Sequence, residues 1–317
     1  MCEETTEPIP LPPPAGQHPA PAPSASVWVT GQQDAASQLA HRGYLPATAA
    51  DHGRIPPAIA AHAITAYTRA GALVLDPDCG AGTVLVEALH TGRHAVGITP
   101  DRRRKMLARA NVTAAQQAGA WPHATVLDGR PGHLSPVHLA GLAGRVDLVL
   151  TTLRHPHPTR PRAARHPQHP APEPGSLGRL HQALRRARPL LQPGSHVIIT
   201  LRPHRHHGLL RDLPGRVTAT ATDLGLIPVQ RCVALLARLS QDRIITRATL
   251  AQRRCAARHQ HNLGHPIGLL AHHDVLIFTV PEDWAAGDAQ PADPAGDPGH
   301  EHQLPPGDPA TWCSRAA

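Results

Sequence analysis

The sequence predicts an α/β fold: a mostly parallel sheet, seven strands in all, with helices on both faces. Two observations carry this. Short, near-continuously apolar runs alternate with helical patterns through the middle of the chain, as strands buried on both faces do in β-α-β units. The stretch from Leu73 to Thr83 then reads as a buried strand, a sharp glycine turn and the start of a helix.

In chain order, residues 1–26 are rich in Pro and Ala, offer little apolar surface to bury and are predicted disordered. Order is expected from Val27-Trp28-Val29. A loop at Tyr44-Leu45-Pro46 leads into a helix with Ile55, Ile59, His62, Ala63 and Ala66 on one face and Pro56 and Pro57 in its first turn. Strands are predicted at Leu73–Asp76, His94–Ile98, Thr125–Asp128, Val146–Leu150 and His196–Leu201. Helices are predicted between them, over 83–91, 101–118, 133–142 and 176–191. Two later apolar runs, Val229–Leu239 and Asp274–Val280, supply the last two strands, expected as a hairpin-like edge. Between them, Arg243–Ile267 is Arg- and His-rich and reads as helix with loops. Residues 154–175 form a low-complexity loop, and 282–317 an acidic, Gly/Pro-rich tail predicted disordered. One domain spanning 27–281 is therefore expected.

Charge is unevenly placed. The chain of 317 residues carries a net +8, but both tails are acidic, which leaves about +17 on residues 27–281. Such asymmetry suits a polyanionic partner, with a solvated Arg-rich surface as the alternative. The five cysteines show no CxxC spacing, which argues against a zinc knuckle or a disulfide framework. The histidines at 155, 157, 166 and 169 lack regular ligand spacing and reflect composition, so no metal is expected. No apolar run approaches a membrane span, and a cytoplasmic protein is expected.

The glycine turn points to a particular ligand. Asp76 closes the strand four residues before Gly80, and Gly82 follows two residues later. A dinucleotide site would place a third glycine where Leu85 stands. An acid at the strand end with that glycine missing favours S-adenosylmethionine, whose amino-acid end is cationic, over NAD.

Residues 27–281, about four-fifths of the chain, resemble bacterial S-adenosylmethionine-dependent methyltransferases of the DNA N4/N6-methylase and Trm11-like superfamily. The resemblance rests on Tyr44-Leu45-Pro46 through Pro56, on Leu73–Asn111 with its Asp-Pro-x-Cys-Gly-x-Gly-Thr block, and on Leu190-Leu191-Gln192-Pro193-Gly194 through Thr200. It implies the class I, Rossmann-like methyltransferase fold. It also implies roles. Asp76 receives the cofactor's ammonium, while Cys79, Gly80 and Gly82 line its methionine part. Thr83 opens the helix whose N-terminus helps fix the carboxylate. At the second strand end, where the family has an acid for the ribose hydroxyls, this chain has Thr99, with Asp101 two residues on. At the third, Asp128 accepts the adenine amino group.

At the fourth strand end the family places Asp, Asn or Ser, two prolines and an aromatic residue, which hold the target amine of a flipped base. The corresponding residues are Thr152-Leu153-Arg154-His155, so Thr152 and His155 are the catalytic candidates. Arg154, Arg202, Arg205 and Arg211, together with His204, His206 and Arg216, are candidate nucleic-acid contacts. The activity implied is methyl transfer to an exocyclic amino group of a base, in DNA (N4-cytosine or N6-adenine) before tRNA. The alternatives are a tRNA guanine-N2 methyltransferase of Trm11 type, a small-molecule methyltransferase, and a decayed paralogue that binds nucleic acid or a partner without turnover.

Overall fold

The computed structural model describes residues 25–129, 140–154, 175–206 and 208–284. The strands are β1 (Val27–Trp28), β2 (Leu73–Asp76), β3 (His94–Thr99), β4 (Ala124–Asp128), β5 (Val146–Thr152), β6 (Leu191–Leu201), β7 (Arg205–His206), β8 (Leu209–Leu210), β9 (Ile227–Leu235), β10 (Arg238–Ser240), β11 (Arg243–Ile245) and β12 (His272–Thr279). Eight of them make one sheet in the order β1-β9-β12-β6-β5-β2-β3-β4, while β7-β8 and β10-β11 are separate two-stranded hairpins. The helices are α1 (Ala35–His41), α2 (Pro57–Tyr67), α3 (Thr83–His90), α4 (Arg102–Gln117), α5 (Ser176–Ala187), α6 (Leu213–Thr222) and α7 (Leu250–Leu263).

Strand alternation explains why the strands are apolar throughout. On one face Val74, Leu148, Ile198 and Val275 pack with Ile59 and Ile64 of α2, Leu85 of α3 and Ala108 of α4. On the other, Leu75, Val149, Ile199 and Phe278 pack with Leu180 and Leu184 of α5 and Val217 of α6. Trp284 closes this second core, its indole N–H donating to the Arg188 carbonyl at 3.2 Å.

Within the eight-stranded sheet every pairing is parallel except those of β12, which runs antiparallel to both β6 and β9. From β2 the chain moves outward to β3 and β4, then crosses back to β5 on the far side of β2. Strand order therefore reverses between β2 and β5, and a ligand crevice is expected at the carboxyl ends of those two strands. Asp76 closes β2 and Thr152 closes β5.

Four expectations are corrected. The sheet has eight strands, not seven, because Val27–Trp28 pairs with β9. The last two strands pair antiparallel as expected but are not the outermost pair, since β1 lies outside β9. The apolar run 229–239 is divided: β9 stops at Leu235, and Arg238–Ser240 turns into the hairpin with β11. The helix expected over 176–191 ends at Ala187, because Pro189 sits in a 3-10 turn that feeds β6 from Leu191. Predicted helix 133–142 falls mostly outside the described residues, as do both tails and most of the 154–175 loop. Among the described residues no helix is long and apolar enough to cross a membrane.

Candidate cofactor and acceptor site

The turn after β2 is built as its glycines require. Gly80 has φ +52° and Gly82 φ +83°, conformations that side chains rarely adopt. A Cβ on Gly82 would sit 3.0 Å from that of Ala108, so the missing side chain also lets α3 start against α4. The Cys79 amide donates to the Ile98 carbonyl at 2.9 Å and ties the turn to the end of β3. Its thiol is buried against Gly97, and burial pushes it well above the ordinary thiol range. Cys79 therefore anchors the turn through packing. Thr83 heads α3, and among the described residues its buried hydroxyl has no hydrogen-bond partner.

Three carboxylates converge on this turn. Asp76 is buried, and its Oδ1 accepts from the Asp78 amide at 3.1 Å and the Thr151 hydroxyl at 3.3 Å. Burial pushes its carboxyl up to about 7, against the pull of Arg154. Asp51 arrives from the loop before α2, and its Oδ2 accepts from the Ala81 amide at 3.0 Å. Burial works against ionisation of Asp51, yet Arg154 and the Ala81 amide hold its carboxyl below the usual range. Asp78 is the third, partly exposed.

Arg154, expected as a nucleic-acid contact, lies buried among them. Its side chain is only 10% exposed. Nη1 donates to Asp51 Oδ1 at 2.8 Å, and Nε donates to the Asp78 carbonyl at 3.2 Å with the Asp78 carboxylate 3.4 Å away. Burial opposes its charge, but Asp78, Asp51 and Asp76 together hold the guanidinium protonated. The cause is electrostatic: three carboxylates at a buried strand end demand a cation, and the residue two past β5 is within reach.

Two residues that sequence reasoning missed hold this arrangement. Asn111 of α4 donates from Nδ2 to the Thr48 hydroxyl at 2.8 Å and the Ala81 carbonyl at 2.9 Å, and accepts from the Leu45 amide at 2.9 Å. It staples the loop that carries Asp51 to the glycine turn. Asp51 and Asn111 both lie in stretches that carried the family resemblance, and an acid two residues before Gly53 in a Pro-bounded loop was the available signal.

The other strand ends divide. Thr99 is buried at the end of β3, paired in register with Asp128. Asp101 caps α4, accepting from the Arg103 and Arg104 amides at 2.9 and 3.1 Å, so its local role is that of an N-cap. Asp128 forms an ion pair with Lys105 at 3.6 Å, both side chains largely buried. Thr152 is half-buried, and its hydroxyl donates to the Thr200 carbonyl at 3.0 Å. That bond leaves the oxygen lone pairs free to accept. His155, together with the histidines at 157, 166 and 169, lies outside the described residues. Among the described residues no cluster suited to a metal ion occurs.

The basic candidates after β6 stay at the carboxyl edge. Arg202 donates from Nε to His273 Nε2 at 2.9 Å, and Arg205 from Nη1 to the Gly208 carbonyl at 3.1 Å. The Arg211 and Arg216 side chains are exposed. Burial and the Arg202 charge drive His273 down to about 3, which keeps its Nε2 an acceptor.

This arrangement fits S-adenosylmethionine: acids for a cationic end, a glycine turn, an unpaired helix-start hydroxyl and an acid two strands further for adenine. Strand order and strand ends define the class of fold, the Rossmann-like α/β architecture of class I methyltransferases. Residues 15–109 match a family model described as "DNA methylase", of the N4/N6 type, which covers the turn and all of its preceding loop. No curated protein matches the chain. Among solved structures, magnesium protoporphyrin IX methyltransferase from Synechocystis with bound S-adenosylmethionine is 12% identical at TM-score 0.38, covering 70% of this chain and 76% of that one. Precorrin-6y C5,15-methyltransferase from Geobacter metallireducens is 10% identical at TM-score 0.42, covering 70% and 86%. A TehB-like S-adenosylmethionine-dependent methyltransferase from Corynebacterium glutamicum is 16% identical at TM-score 0.39, covering 73% and 91%.

Proposed function

We propose that the protein transfers a methyl group from S-adenosylmethionine to an exocyclic amino group of a nucleic-acid base, in DNA before tRNA. One observation carries the reading. The acid that meets the cofactor's cationic end and the hydroxyl that meets the acceptor sit on adjacent strands at the switch point, joined through Thr151, whose hydroxyl donates to Asp76 at 3.3 Å. When bound, the cofactor supplies an electrophilic methyl on a good leaving group, so the protein's task is placement more than proton removal.

Each residue then has a local task. Asp76, Asp51 and Asp78 supply the negative field for the ammonium. Asp128, at the end of β4 and paired with Lys105, accepts from the adenine amine. Thr152, held by the Thr200 carbonyl, accepts a hydrogen of the target amine and turns the nitrogen lone pair toward the methyl. Arg202, Arg205 and Arg211 stand at the same edge, where backbone phosphates would lie. Support for a nucleic-acid target comes from the DNA methylase match over residues 15–109 and from the basic balance of residues 27–281.

Transfer of tritiated methyl into duplex DNA, single-stranded DNA and bulk tRNA tests this. Label in DNA that Thr152→Val reduces by tenfold or more is expected. Label confined to tRNA would move the reading to the guanine-N2 type. Label in neither, with the cofactor bound, would contradict it.

A further inference from the structure

Arg154 has no task in the chemistry described above, yet it is among the most constrained side chains at the site. Its guanidinium spans Asp51 at 2.8 Å and Asp78 at 3.4 Å. It also lies over the glycine turn so closely that a methyl group on Gly80 would collide with both the guanidinium and the Asp51 carboxylate. The φ of +52° calls for glycine, the absent side chain leaves the turn open to close approach, and here that space is filled by the protein's own cation. We propose that Arg154 is a built-in competitor for the cofactor: its guanidinium occupies the seat of the cofactor's ammonium and must be displaced from Asp51 and Asp78 for the amino-acid end to bind. This rests on the S-adenosylmethionine reading of the site.

The charge balance supports displacement over shared occupancy. Three carboxylates face one guanidinium, and Asp76 has no direct bond to it. An ammonium entering the turn would meet Asp76 and at the same moment repel Arg154. The side chain can leave without unfolding the sheet, because β5 ends at Thr152 and Arg154 lies beyond the last strand residue. Ligands without an amino-acid end, such as 5′-methylthioadenosine, have no quarrel with it.

Calorimetry of wild type and Arg154→Met with S-adenosylhomocysteine and with 5′-methylthioadenosine separates the possibilities. The variant should bind S-adenosylhomocysteine at least tenfold more tightly, while 5′-methylthioadenosine changes less than twofold. Arg154→Lys, which keeps the positive charge, should stay within threefold of wild type for both. An unchanged affinity with a lowered melting temperature would make Arg154 only a structural ion pair. A weakened affinity would make it a partner of the cofactor's carboxylate. Either result overturns the proposal alone, whereas no binding of either ligand to any form overturns the cofactor reading as well. If Arg154→Met does not fold, backbone hydrogen exchange of wild type gives the answer. Saturating S-adenosylhomocysteine should speed exchange around residues 151–154 and 5′-methylthioadenosine should not; slower exchange with both would refute displacement.

Discussion

Asp76 shows how much a single buried carboxyl can report. Its folded value of about 7 lies above the ordinary 3.8, so the stability it contributes is fully present below about pH 4 and is lost as pH rises through 7. Thermal melts of the ligand-free protein should therefore show a larger loss between pH 6 and 8 for wild type than for Asp76→Asn. The same titration governs the ligand. If only the ionised carboxylate receives an ammonium, affinity for S-adenosylhomocysteine should rise about tenfold over those two pH units, and a flat profile would disqualify Asp76 as the partner. At this scale the sequence was legible where a residue's role follows from its place on the backbone. Asp76, Gly80, Gly82 and Thr83 stand where the strand-turn-helix pattern put them. The burial of Arg154 was not legible, because sequence shows a cation in a basic loop and not the three acids that fold around it. Asp101 acts as a helix cap, a role its position just before α4 already allowed.

The element that organises the site is the loop Tyr44–Asp51, which reaches the glycine turn only because Asn111 of α4 ties it there. Asn111→Ala removes three hydrogen bonds that bridge two elements in a buried setting. It should cost about 1–3 kcal/mol of stability, read from denaturant unfolding. It should also weaken S-adenosylhomocysteine binding, because Asp51 loses its fixed place. A stability loss with affinity intact would show that the loop carries no ligand contact. Strands β2 to β6 were readable because both faces of each are apolar, a pattern that allows little else. The antiparallel pairing of the last two strands was readable, but the position of β12 between β9 and β6 was not. It follows from the insertion 236–271, which begins and ends at the carboxyl edge of the sheet and so sends β12 back between β9 and β6. Pairing partners of this kind are set by tertiary contacts that leave no periodicity in the chain.

For the whole molecule, that insertion raises the basic charge of the carboxyl edge. Residues 236–271 carry six arginines against one acid, and α7 buries none of its residues. Arg247 is committed to the carbonyls of Gly31 and Gln32, but the Arg253, Arg254 and Arg258 side chains are exposed on α7. Replacing these three by Ala should weaken DNA binding and lower the slope of log affinity against log salt by about 2–3. An unchanged slope would place the nucleic acid elsewhere. The excess charge of residues 27–281 was legible from composition, whereas the exposure of its arginines along α7 required the structure. All of these expectations depend on one claim, that the turn from Asp76 to Thr83 seats S-adenosylmethionine. Calorimetric titration of wild type and Asp76→Ala with the cofactor tests it most directly. Saturable binding by wild type, lost in a variant that still folds, is the predicted result. Absence of binding by wild type, or equal binding by both proteins, would contradict it.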